Sequence, residues 1–427
     1  MTAELFLGID AGTSGVRACA INRMEEVAGI AMTAMPLPMQ DGARVEQEAD
    51  IWWDAVAETI RSLGGSVDLS AVRRIAIDGT SGTLLLAAAD GQPCSRGLMY
   101  NDARATGEAA RIKTIAPAES GAHGATAAAA KLLHLLRDGV PAKARHAVHQ
   151  ADWIAGRLAG RFGFSDENNA LKLGYDPVAR LWPAWMDEIG VPRGLMPEVL
   201  VPGALLGPID RNVATALGLS ARAEICIGTT DGVAAFIATR AAEIGDAVTS
   251  LGSTLVVKLL SNQPIFAAQQ GVYSHRLGDR WLVGGASNSG GGALLAHFTA
   301  AQMAALSGRL DPGRPTGLDY YPLPAPGERF PIADPTLAPK VTPRPSDDAR
   351  FFQGLLEGIS AVEGLAYERL KELGAPSVKR VITVGGGALN SAWTAIRGRR
   401  LGVPVTRADH TEASFGAARL ALHGGPP

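Results

Sequence analysis

The chain has 427 residues, of which 47% are hydrophobic and 19% charged, a composition typical of folded proteins of about two or three domains. Its 40 Lys and Arg residues nearly balance its 42 Asp and Glu residues, leaving a formal charge of -2. There is no general basic field, which excludes nucleic acid and anionic membranes as predicted partners.

Three cysteines, Cys19, Cys94 and Cys226, lie far apart without CxxC spacing, which argues against a disulfide framework or a zinc site. Residues 1–9 show no basic segment before a long apolar run. No later segment reaches the roughly 20 uninterrupted apolar residues that a membrane helix needs. We therefore expect a cytoplasmic protein, neither secreted nor membrane-spanning.

A glycine-rich turn follows the first predicted strand. Residues 5–9 are apolar and lead into Asp10, then Ala-Gly-Thr-Ser-Gly at 11–15, and then alternate apolar and polar residues up to residue 20. That period of two predicts a second strand, whereas P-loop and Rossmann phosphate sites run from their glycines into a helix. Neither GxxxxGK[ST] nor GxGxxG occurs in the chain, so both folds lack their signatures.

The turn recurs further along the chain. Residues 51–63 carry an amphipathic helical stripe with Asp50 as candidate N-cap. A strand at 74–77 then ends in Asp-Gly-Thr-Ser-Gly-Thr at 78–83, which repeats the first turn. The remaining elements of the first half are helices at 131–136 and 153–158, a strand at 224–227 that ends in Gly-Thr-Thr-Asp-Gly at 228–232, and a helix at 233–240.

The second half repeats the opening hairpin without its aspartate. A strand at 247–251, the turn Gly252, Ser253 and Thr254, and a strand at 255–260 follow one another. We therefore predict an α/β protein of two related lobes, with domains at 1–241 and 242–427. The remaining pattern is a proline-rich surface loop at 312–345, a strand at 381–384, glycines at 385–387 and a helix at 391–401.

Glycine turns at strand ends suit phosphate, because they expose backbone N–H groups and the neighbouring Thr and Ser hydroxyls add donors. A single turn of this kind mostly just reverses the chain. Two matched turns, one at Gly12, Thr13 and Ser14 and one at residues 252–254, favour a polyphosphate held from two lobes.

Two aspartates adjoin these turns. Asp10 could hold Mg²⁺ through water and touch a substrate hydroxyl, or it could simply cap its turn. Asp231 could be a general base that takes the proton of an attacking hydroxyl, or the N-cap of the helix that follows it. The two readings of Asp231 are compatible, because helix N–H groups keep a carboxylate ionised.

Other candidates are weaker. The glycines at 385–387 could admit a flat base, with Asn390 and Trp393 at the rim, although such a triplet alone more often reflects tight packing. His146 and His149 lack a third ligand, so a metal site there is not predicted. Lys131, on an apolar helix, is interpreted as an edge residue whose amine reaches solvent.

Taken in order, these pieces resemble the FGGY family of carbohydrate kinases, members of the actin-, hexokinase- and Hsp70-like ATPase superfamily. The resemblance covers nearly the whole chain, and the motifs are specific as a set. The segments that carry it are residues 8–14, 45–53, 101–104, 152–160, 228–232, 252–254, 327–331 and 385–390.

The resemblance implies two RNase-H-like domains that close on ATP and Mg²⁺, with the sugar held mainly by the N-terminal domain. It makes Asp231 the base and a sugar contact, and Asp10 a contact of the sugar and of a magnesium-bound water. The residues that it assigns to the nucleotide are Gly12, Thr13, Ser14, Gly252, Ser253 and Thr254 for the phosphates, and Gly386, Gly387, Asn390 and Trp393 for adenosine.

The sugar is chosen by resemblance to one branch. Xylulokinases usually carry a Met-His pair and glycerol kinases an Asn-Gln-Arg-Glu run where this chain has Thr-Ser-Gly-Thr at 80–83. That loop, the stretch 166–172 and the compact length resemble the D-ribulokinase branch, which makes Ser81 a sugar contact. D-xylulose, or another pentulose or polyol, is the alternative.

Two features depart from the family pattern and limit what carries over. Tyr100 stands where the family usually has Trp, and the chain is shorter than typical members. Family-wide subunit contacts therefore need not transfer, and a monomer or a homodimer is expected. The rival functions are an actin- or Hsp70-like ATPase without sugar kinase activity and a sugar-binding protein that has lost catalysis.

Overall fold

The computed structural model describes residues 4–137 and 139–427. Its strands are β1 (Leu5–Ala11), β2 (Gly15–Ile21), β3 (Val27–Ala34), β4 (Met39–Asp41), β5 (Arg44–Gln47), β6 (Val72–Gly79), β7 (Leu84–Ala87), β8 (Gly97–Leu98), β9 (His146–His149), β10 (Phe164–Asp166), β11 (Glu198–Leu200), β12 (Leu205–Pro208), β13 (Glu224–Thr230), β14 (Asp246–Leu251), β15 (Leu255–Ser261), β16 (Tyr273–Leu277), β17 (Arg280–Ser287), β18 (Arg380–Val384) and β19 (Val405–Arg407). Its helices are α1 (Ala49–Leu63), α2 (Thr106–Ile115), α3 (Ala128–Leu136), α4 (Gln150–Ala159), α5 (Glu167–Leu173), α6 (Trp185–Glu188), α7 (Arg211–Leu217), α8 (Asp231–Ala238), α9 (Gly291–Leu295), α10 (Ala300–Ser307), α11 (Asp348–Glu372), α12 (Ser391–Leu401) and α13 (Ala413–His423).

The first large sheet has the strand order β12-β13-β6-β1-β2-β3. β13, β6 and β1 run parallel, and β2 and β3 continue the sheet antiparallel. All seven residues of β1 are buried, and since successive side chains of a strand point to opposite faces, both faces of the sheet are covered. A smaller sheet, β4-β5-β8-β7-β9, lies in the same half of the sequence.

The second large sheet repeats this topology. Its order is β16-β17-β15-β14-β18-β19. The run β17-β15-β14 is antiparallel, and β14, β18 and β19 are parallel. The five strands β17-β15-β14-β18-β19 therefore follow the same succession and directions as β3-β2-β1-β6-β13. The prediction of two related α/β lobes is confirmed.

The chain divides into two compact units. The first unit comprises the residues up to Ala238 with His275–Gly278 and Glu412–Pro427, and the second unit comprises Thr239–Ser274 and Asp279–Thr411. The predicted boundary at residue 241 lies three residues beyond the end of the first long segment. The structure also differs from the division at 1–241 and 242–427 at the C-terminus, where α13 joins the first unit.

Two glycines explain why α13 joins the first unit. A Cβ on Gly8 of β1 would lie 2.0 Å from the carbonyl oxygen of Ser414, and one on Gly416 would lie 1.9 Å from that of Ala234. The backbone of α13 therefore touches the backbones of both β1 and α8. Such a long-range contact leaves no local signal in the sequence.

A fully buried ion pair ties the second unit together. The guanidinium of Arg397 on α12 donates to Glu363 of α11 at 2.6 and 2.7 Å, and to the hydroxyl of Thr383 on β18 at 2.6 Å. Thr249 of β14 donates to the same carboxylate at 2.5 Å. Because each charged group finds hydrogen-bond partners, the pair fixes α12 against the central strands.

The crowding around Gly416 predicts a large effect of one added methyl group. Gly416→Ala should lower the midpoint of thermal unfolding by roughly 5–10 °C, because the new Cβ must displace backbone. Gly107→Ala is the matched control, since a Cβ there meets nothing within 4 Å. Calorimetry measures both midpoints, and equal midpoints for the two variants would contradict the described packing.

Candidate active site

The carboxyl ends of three parallel strands bring three aspartates together. Asp10 lies near the end of β1 and pairs in register with Asp78 of β6. Asp78 in turn pairs with Thr229 of β13, and Asp231 follows that strand as the first residue of α8. Since parallel strands end at the same edge of a sheet, this edge is the candidate site of the first unit.

Asp78 is the carboxyl that sequence reasoning missed. It is fully buried, and neither of its carboxyl oxygens receives a hydrogen bond from a donor group among the described residues. Burial, followed by the charges of Asp10 and Asp231, raises its pKa well above the usual range. The sequence does carry a signal for this residue, because Asp78 stands before a glycine turn at the end of β6, just as Asp10 does at the end of β1.

Asp10 and Asp78 are register neighbours whose carboxyl groups influence each other. Burial raises the pKa of Asp10; Asp78 opposes that rise, Asp231 adds to it, and Arg17 opposes it from 3.3 Å. Adjacent carboxyl groups disfavour ionisation of both, and the pKa of fully buried Asp78 is raised further than that of Asp10. The electrostatics therefore favour the proton on Asp78 and the negative charge on Asp10, which Arg17 contacts.

A β-bulge near the end of β13 sets the direction of the chain that leads to Asp231. Its register against β6 shifts between Cys226 and Thr229, and a Cβ on Gly228 would lie 1.5 Å from the carbonyl oxygen of Ile77. Only glycine fits so close to the neighbouring strand. The bulge sets the direction in which the chain delivers half-buried Asp231 to the edge of the sheet.

The turn at residues 80–83 is held rigidly beside the aspartates. The hydroxyl of Thr80 bonds Thr83 at 2.6 Å and Gln150 at 2.8 Å. Ser81 sits on this turn, and its hydroxyl is buried with no hydrogen-bond partner among the described residues. An unpaired buried hydroxyl is costly unless another group meets it.

Lys131 anchors this turn, so its interpretation as an edge residue was wrong. The side chain is fully buried, and its ammonium donates to the carbonyls of Gly82, Met99 and Tyr100 at 2.8, 2.6 and 3.2 Å. Burial lowers its pKa to about 7. The lysine joins the 80–83 turn to the segment that leads into Asn101 and Asp102.

The turn of Gly12, Thr13 and Ser14 lies between β1 and β2, next to Asp10. Gly12 N–H donates to the Gly15 carbonyl at 3.0 Å, and the carbonyl of Ser14 accepts from Met35 at 2.9 Å. The turn is half-buried to exposed. It therefore presents backbone at the same edge of the sheet as the aspartates.

In the second unit the turn of Gly252, Ser253 and Thr254 rests on another glycine run. Gly291 N–H donates to the Gly252 carbonyl at 2.8 Å, and Gly292 N–H to the Ser253 carbonyl at 2.9 Å. Sequence reasoning missed this support, although three consecutive glycines at 290–292 were visible. Glu328 holds the residues just before this glycine run, because its carboxylate accepts hydrogen bonds from the Ser287 hydroxyl at 2.6 Å and from the Asn288 N–H at 2.7 Å.

The glycines at 385–387 lie beside the 252–254 turn. Strand β14 pairs with β18 so that Ser250 faces Val384, and a Cβ on Gly385 or Gly387 would lie 2.7 Å from Leu251. Gly386 is exposed, and a Cβ there would meet nothing within 4 Å. The structure thus brings Gly386 and Gly387 to the same sheet edge as Gly252, Ser253 and Thr254.

Asn390 and Trp393 take different places. The side chain of Asn390 caps α12 by accepting from Trp393 N–H at 3.0 Å and donates to Ser307 at 3.0 Å. Trp393 is 3% exposed, and its indole N–H donates to Ser360 at 3.1 Å. Trp393 therefore packs behind the glycine segment, within the core, and does not lie at the rim where it was expected.

Fold and site together define a class. Two repeated α/β sheets with glycine turns at the same strand positions are the architecture of the actin-, hexokinase- and Hsp70-like ATPases. The chain matches the N-terminal domain of the FGGY family of carbohydrate kinases over residues 5–238 and its C-terminal domain over residues 247–424. The protein belongs to the FGGY family, and it is a carbohydrate kinase.

The relatives of this chain are named as kinases of different sugars. Xylulose kinase of Bacillus subtilis (strain 168) is 23% identical over 448 residues, covering 98% of this chain and 88% of the relative. L-fuculokinase of Escherichia coli (strain K12) is 23% identical over 453 residues, covering 98% and 92%. The ligand-bound xylulose kinase structure from Lactobacillus acidophilus superposes with a TM-score of 0.86 at 19% identity, covering 99% and 89%; that likeness concerns the fold.

ATP and a divalent metal, typically Mg²⁺, are the cofactors of FGGY kinases and therefore of this protein. The residues present fit both. Open space over Gly386 admits a planar base, and the carboxylate oxygens of Asp10 would accept hydrogen bonds from water bound to Mg²⁺. Among the described residues no group of three His, Cys, Asp or Glu side chains is placed to bind a metal directly.

Among residues 4–137 and 139–427, no helix is both long and apolar enough to cross a bilayer.

The buried proton on Asp78 predicts a pH-dependent effect of Asp78→Asn. Because its folded pKa is raised, this group stabilises the protein below its unfolded pKa of about 4 and loses that contribution as pH rises, by up to about 1.4 kcal/mol per pH unit. Asparagine keeps the shape and a donor without ionising. The free energy of unfolding of the variant, relative to wild type, should therefore rise between about pH 4 and 7.

Urea denaturation at several pH values measures this difference. Asp54→Asn, on an exposed position of α1, controls for the loss of a carboxyl group as such. A difference between Asp78→Asn and wild type that stays constant with pH would contradict a protonated Asp78.

Proposed function

We propose that the protein is an ATP-dependent ketopentose kinase that converts D-ribulose to D-ribulose 5-phosphate. The observation that carries the proposal is the meeting of Asp10, Asp78 and half-buried Asp231 at one strand edge, beside the turn that holds Ser81. An edge with ionised acceptors and an unpaired hydroxyl suits a polyhydroxylated substrate.

In this proposal Asp231 is the catalytic base. It accepts a hydrogen bond from the sugar hydroxyl and takes its proton as the hydroxyl oxygen forms a bond to the γ-phosphorus of ATP and the bond to ADP breaks. Asp10 holds the sugar and a magnesium-bound water, and Arg17 keeps that carboxylate in place from 3.3 Å. Bound Mg²⁺ supplies charge neutralisation on the phosphates.

The nucleotide roles follow the turns. The turns of Gly12, Thr13 and Ser14, and of Gly252, Ser253 and Thr254, are proposed to bind phosphate oxygens. The N–H groups of Gly12 and Gly252 already donate to the carbonyls of Gly15 and Thr254, so the Thr and Ser residues of the two turns are the proposed donors. Gly386, Gly387 and Asn390 are proposed to contact adenosine. Trp393 is proposed to support this segment from behind, since its indole nitrogen is already bonded to Ser360.

The choice of D-ribulose depends on the 80–83 turn. The hydroxyl of Ser81 on this turn and the amide oxygen of Asn168 on α5 are buried and have no hydrogen-bond partners among the described residues. Hydroxyl groups of a bound sugar would supply partners for both atoms. D-xylulose is the second candidate, because several relatives that match this chain over most of their own length are named xylulose kinase. The two sugars differ in the direction of one hydroxyl group.

The proposed setting is the cytoplasm. Cys19, Cys94 and Cys226 are all free thiols, which fits a reducing compartment. A monomer or a homodimer is proposed for the active form.

Asp231→Asn tests the base. The variant should lower kcat by roughly 10²- to 10⁴-fold while ATP affinity changes little, because only the proton acceptor is lost. ADP release from Mg-ATP is measured with D-ribulose, D-xylulose, L-ribulose, hexuloses, glycerol and polyols, with Asp54→Asn as control. Full turnover in the Asp231 variant would refute the assignment.

The same panel separates the rival functions. A single strong signal with D-ribulose supports the proposed branch, and a stronger signal with another sugar keeps the kinase but rejects the role of Ser81. Rapid ATP hydrolysis without any sugar would favour an ATPase of the actin or Hsp70 type. Sugar binding without turnover would indicate a protein that has lost catalysis.

Ser81→Ala tests the sugar contact. Loss of one neutral hydrogen bond should lower kcat/KM for the preferred sugar by roughly 3- to 10-fold, with little change in KM for ATP. Ser346→Ala, at an exposed position of the second unit, is the control. An unchanged kcat/KM for every sugar would remove Ser81 from the substrate site.

A further inference from the structure

Helix α5 faces the end of β13, which leads to Asp231. The helix begins after Asp166, whose carboxylate accepts from the N–H groups of Asn168 and Asn169 at 2.8 and 3.1 Å. The amide nitrogen of Asn168 donates to the hydroxyl of Thr229, two residues before Asp231, at 3.1 Å. Lys172 follows Asn168 by four residues, so both side chains lie on the same face of the helix.

Lys172 contacts the 80–83 turn and interacts electrostatically with Asp231. It donates to the carbonyl of Ser81 at 3.5 Å, and its Cδ would be 3.4 Å from a Cβ on Gly82. The side chain is half-buried. Burial lowers the pKa of this lysine, and the negative charge of Asp231 opposes the shift, which places the two charges within electrostatic reach of each other.

Lys172 and Lys131 both donate hydrogen bonds to the 80–83 turn, but they differ in how many acceptors they contact. Lys131 bonds three backbone carbonyls at 2.6–3.2 Å, which accounts for its three donors. For Lys172 the long contact to Ser81 is the hydrogen bond that the described residues supply. Lys131 is thus a structural anchor, whereas Lys172 keeps donors for another acceptor at the sheet edge.

We propose that Lys172 is a substrate-binding residue of this site: its ammonium donates to an oxygen of the ketose and is the cationic partner of the Asp231 carboxylate. The inference depends on the proposed sugar kinase function and adds a residue to it. An ammonium suits this place because ketose hydroxyl and carbonyl oxygens accept hydrogen bonds. It also favours the ionised state in which Asp231 can take a proton.

Other charged groups of the first unit also act at this edge of the sheet. Asp10 on β1 and Asp78 on β6 both act on the same edge and disfavour a further negative charge. Arg17 on β2 is engaged with Asp10 at 3.3 Å and Glu412 at 3.7 Å, and Lys131 on α3 with its three carbonyls. Lys172 on α5 adds a positive charge that interacts with Asp231.

The test compares Lys172→Met, Lys172→Arg and Lys113→Met, the last at an exposed position of α2. With the sugar that wild type prefers, Lys172→Met should lower kcat/KM about 10- to 100-fold, with the KM for ATP nearly unchanged. The acid limb of its kcat/KM profile should move to higher pH by about one unit, because Asp231 loses its cation. Lys172→Arg should restore part of both, and Lys113→Met should match wild type.

The outcomes distinguish two failures. Wild type that phosphorylates no sugar of the panel refutes the kinase function and this inference with it. Active wild type with an unshifted acid limb and unchanged kcat/KM in Lys172→Met overturns the inference alone. Thermal unfolding of each variant is recorded first; if Lys172→Met shows no folded baseline, Lys172→Gln takes its place and the same criteria apply.

Discussion

Like charges crowded at the edge of one sheet set the main constraint on the first unit. Asp10, Asp78 and Asp231 arrive there because three parallel strands end together, and burial adds to the cost of ionising them. The raised pKa of Asp78, which favours its neutral form, and the positive charges of Arg17 and Lys172 lower that cost. The surrounding turn, its anchor Lys131 and the bulge at Gly228 hold these groups at fixed positions.

The two sheets share a topology but not a chemistry. In the first sheet Asp10 pairs in register with Asp78, whereas Ser250 pairs with Val384 near the ends of the equivalent strands of the second sheet. The second unit keeps the glycine turns and has uncharged residues in place of these two carboxyl groups. One architecture therefore supplies an acidic edge suited to a hydroxylated acceptor and a neutral, glycine-rich edge suited to a nucleotide.

Local patterns predicted the elements well, because their signals lie within the elements. Helix α12 occupies the predicted residues 391–401, since Asn390 caps its start and Gly402 takes a left-handed conformation at its end. At α1 the pattern was less decisive. Glu48 occupies the cap position without a side-chain bond, and Asp50 lies in the first turn, not at the predicted cap.

The parts that sequence could not provide depend on tertiary contacts. Whether Trp393 faces a pocket or the core, and whether Lys131 reaches solvent or three carbonyls, is decided by elements distant in the chain. Asp78 and Lys172 belong to the same class: each stood within a motif, but the charges facing it were unknown. The glycine turns and their aspartates were visible because strand ends and glycines are local features.

The packing of α13 has a consequence for synthesis. A ribosome releases the residues of the first unit before those of the second, but the helix that covers β1 and α8 comes from Ala413–His423. The nascent first unit therefore lacks its covering helix until Ala413–His423 has been synthesised. Its core is completed only after the second unit has been synthesised, and a product truncated before Ala413 would expose the uncovered surface to chaperones and proteases.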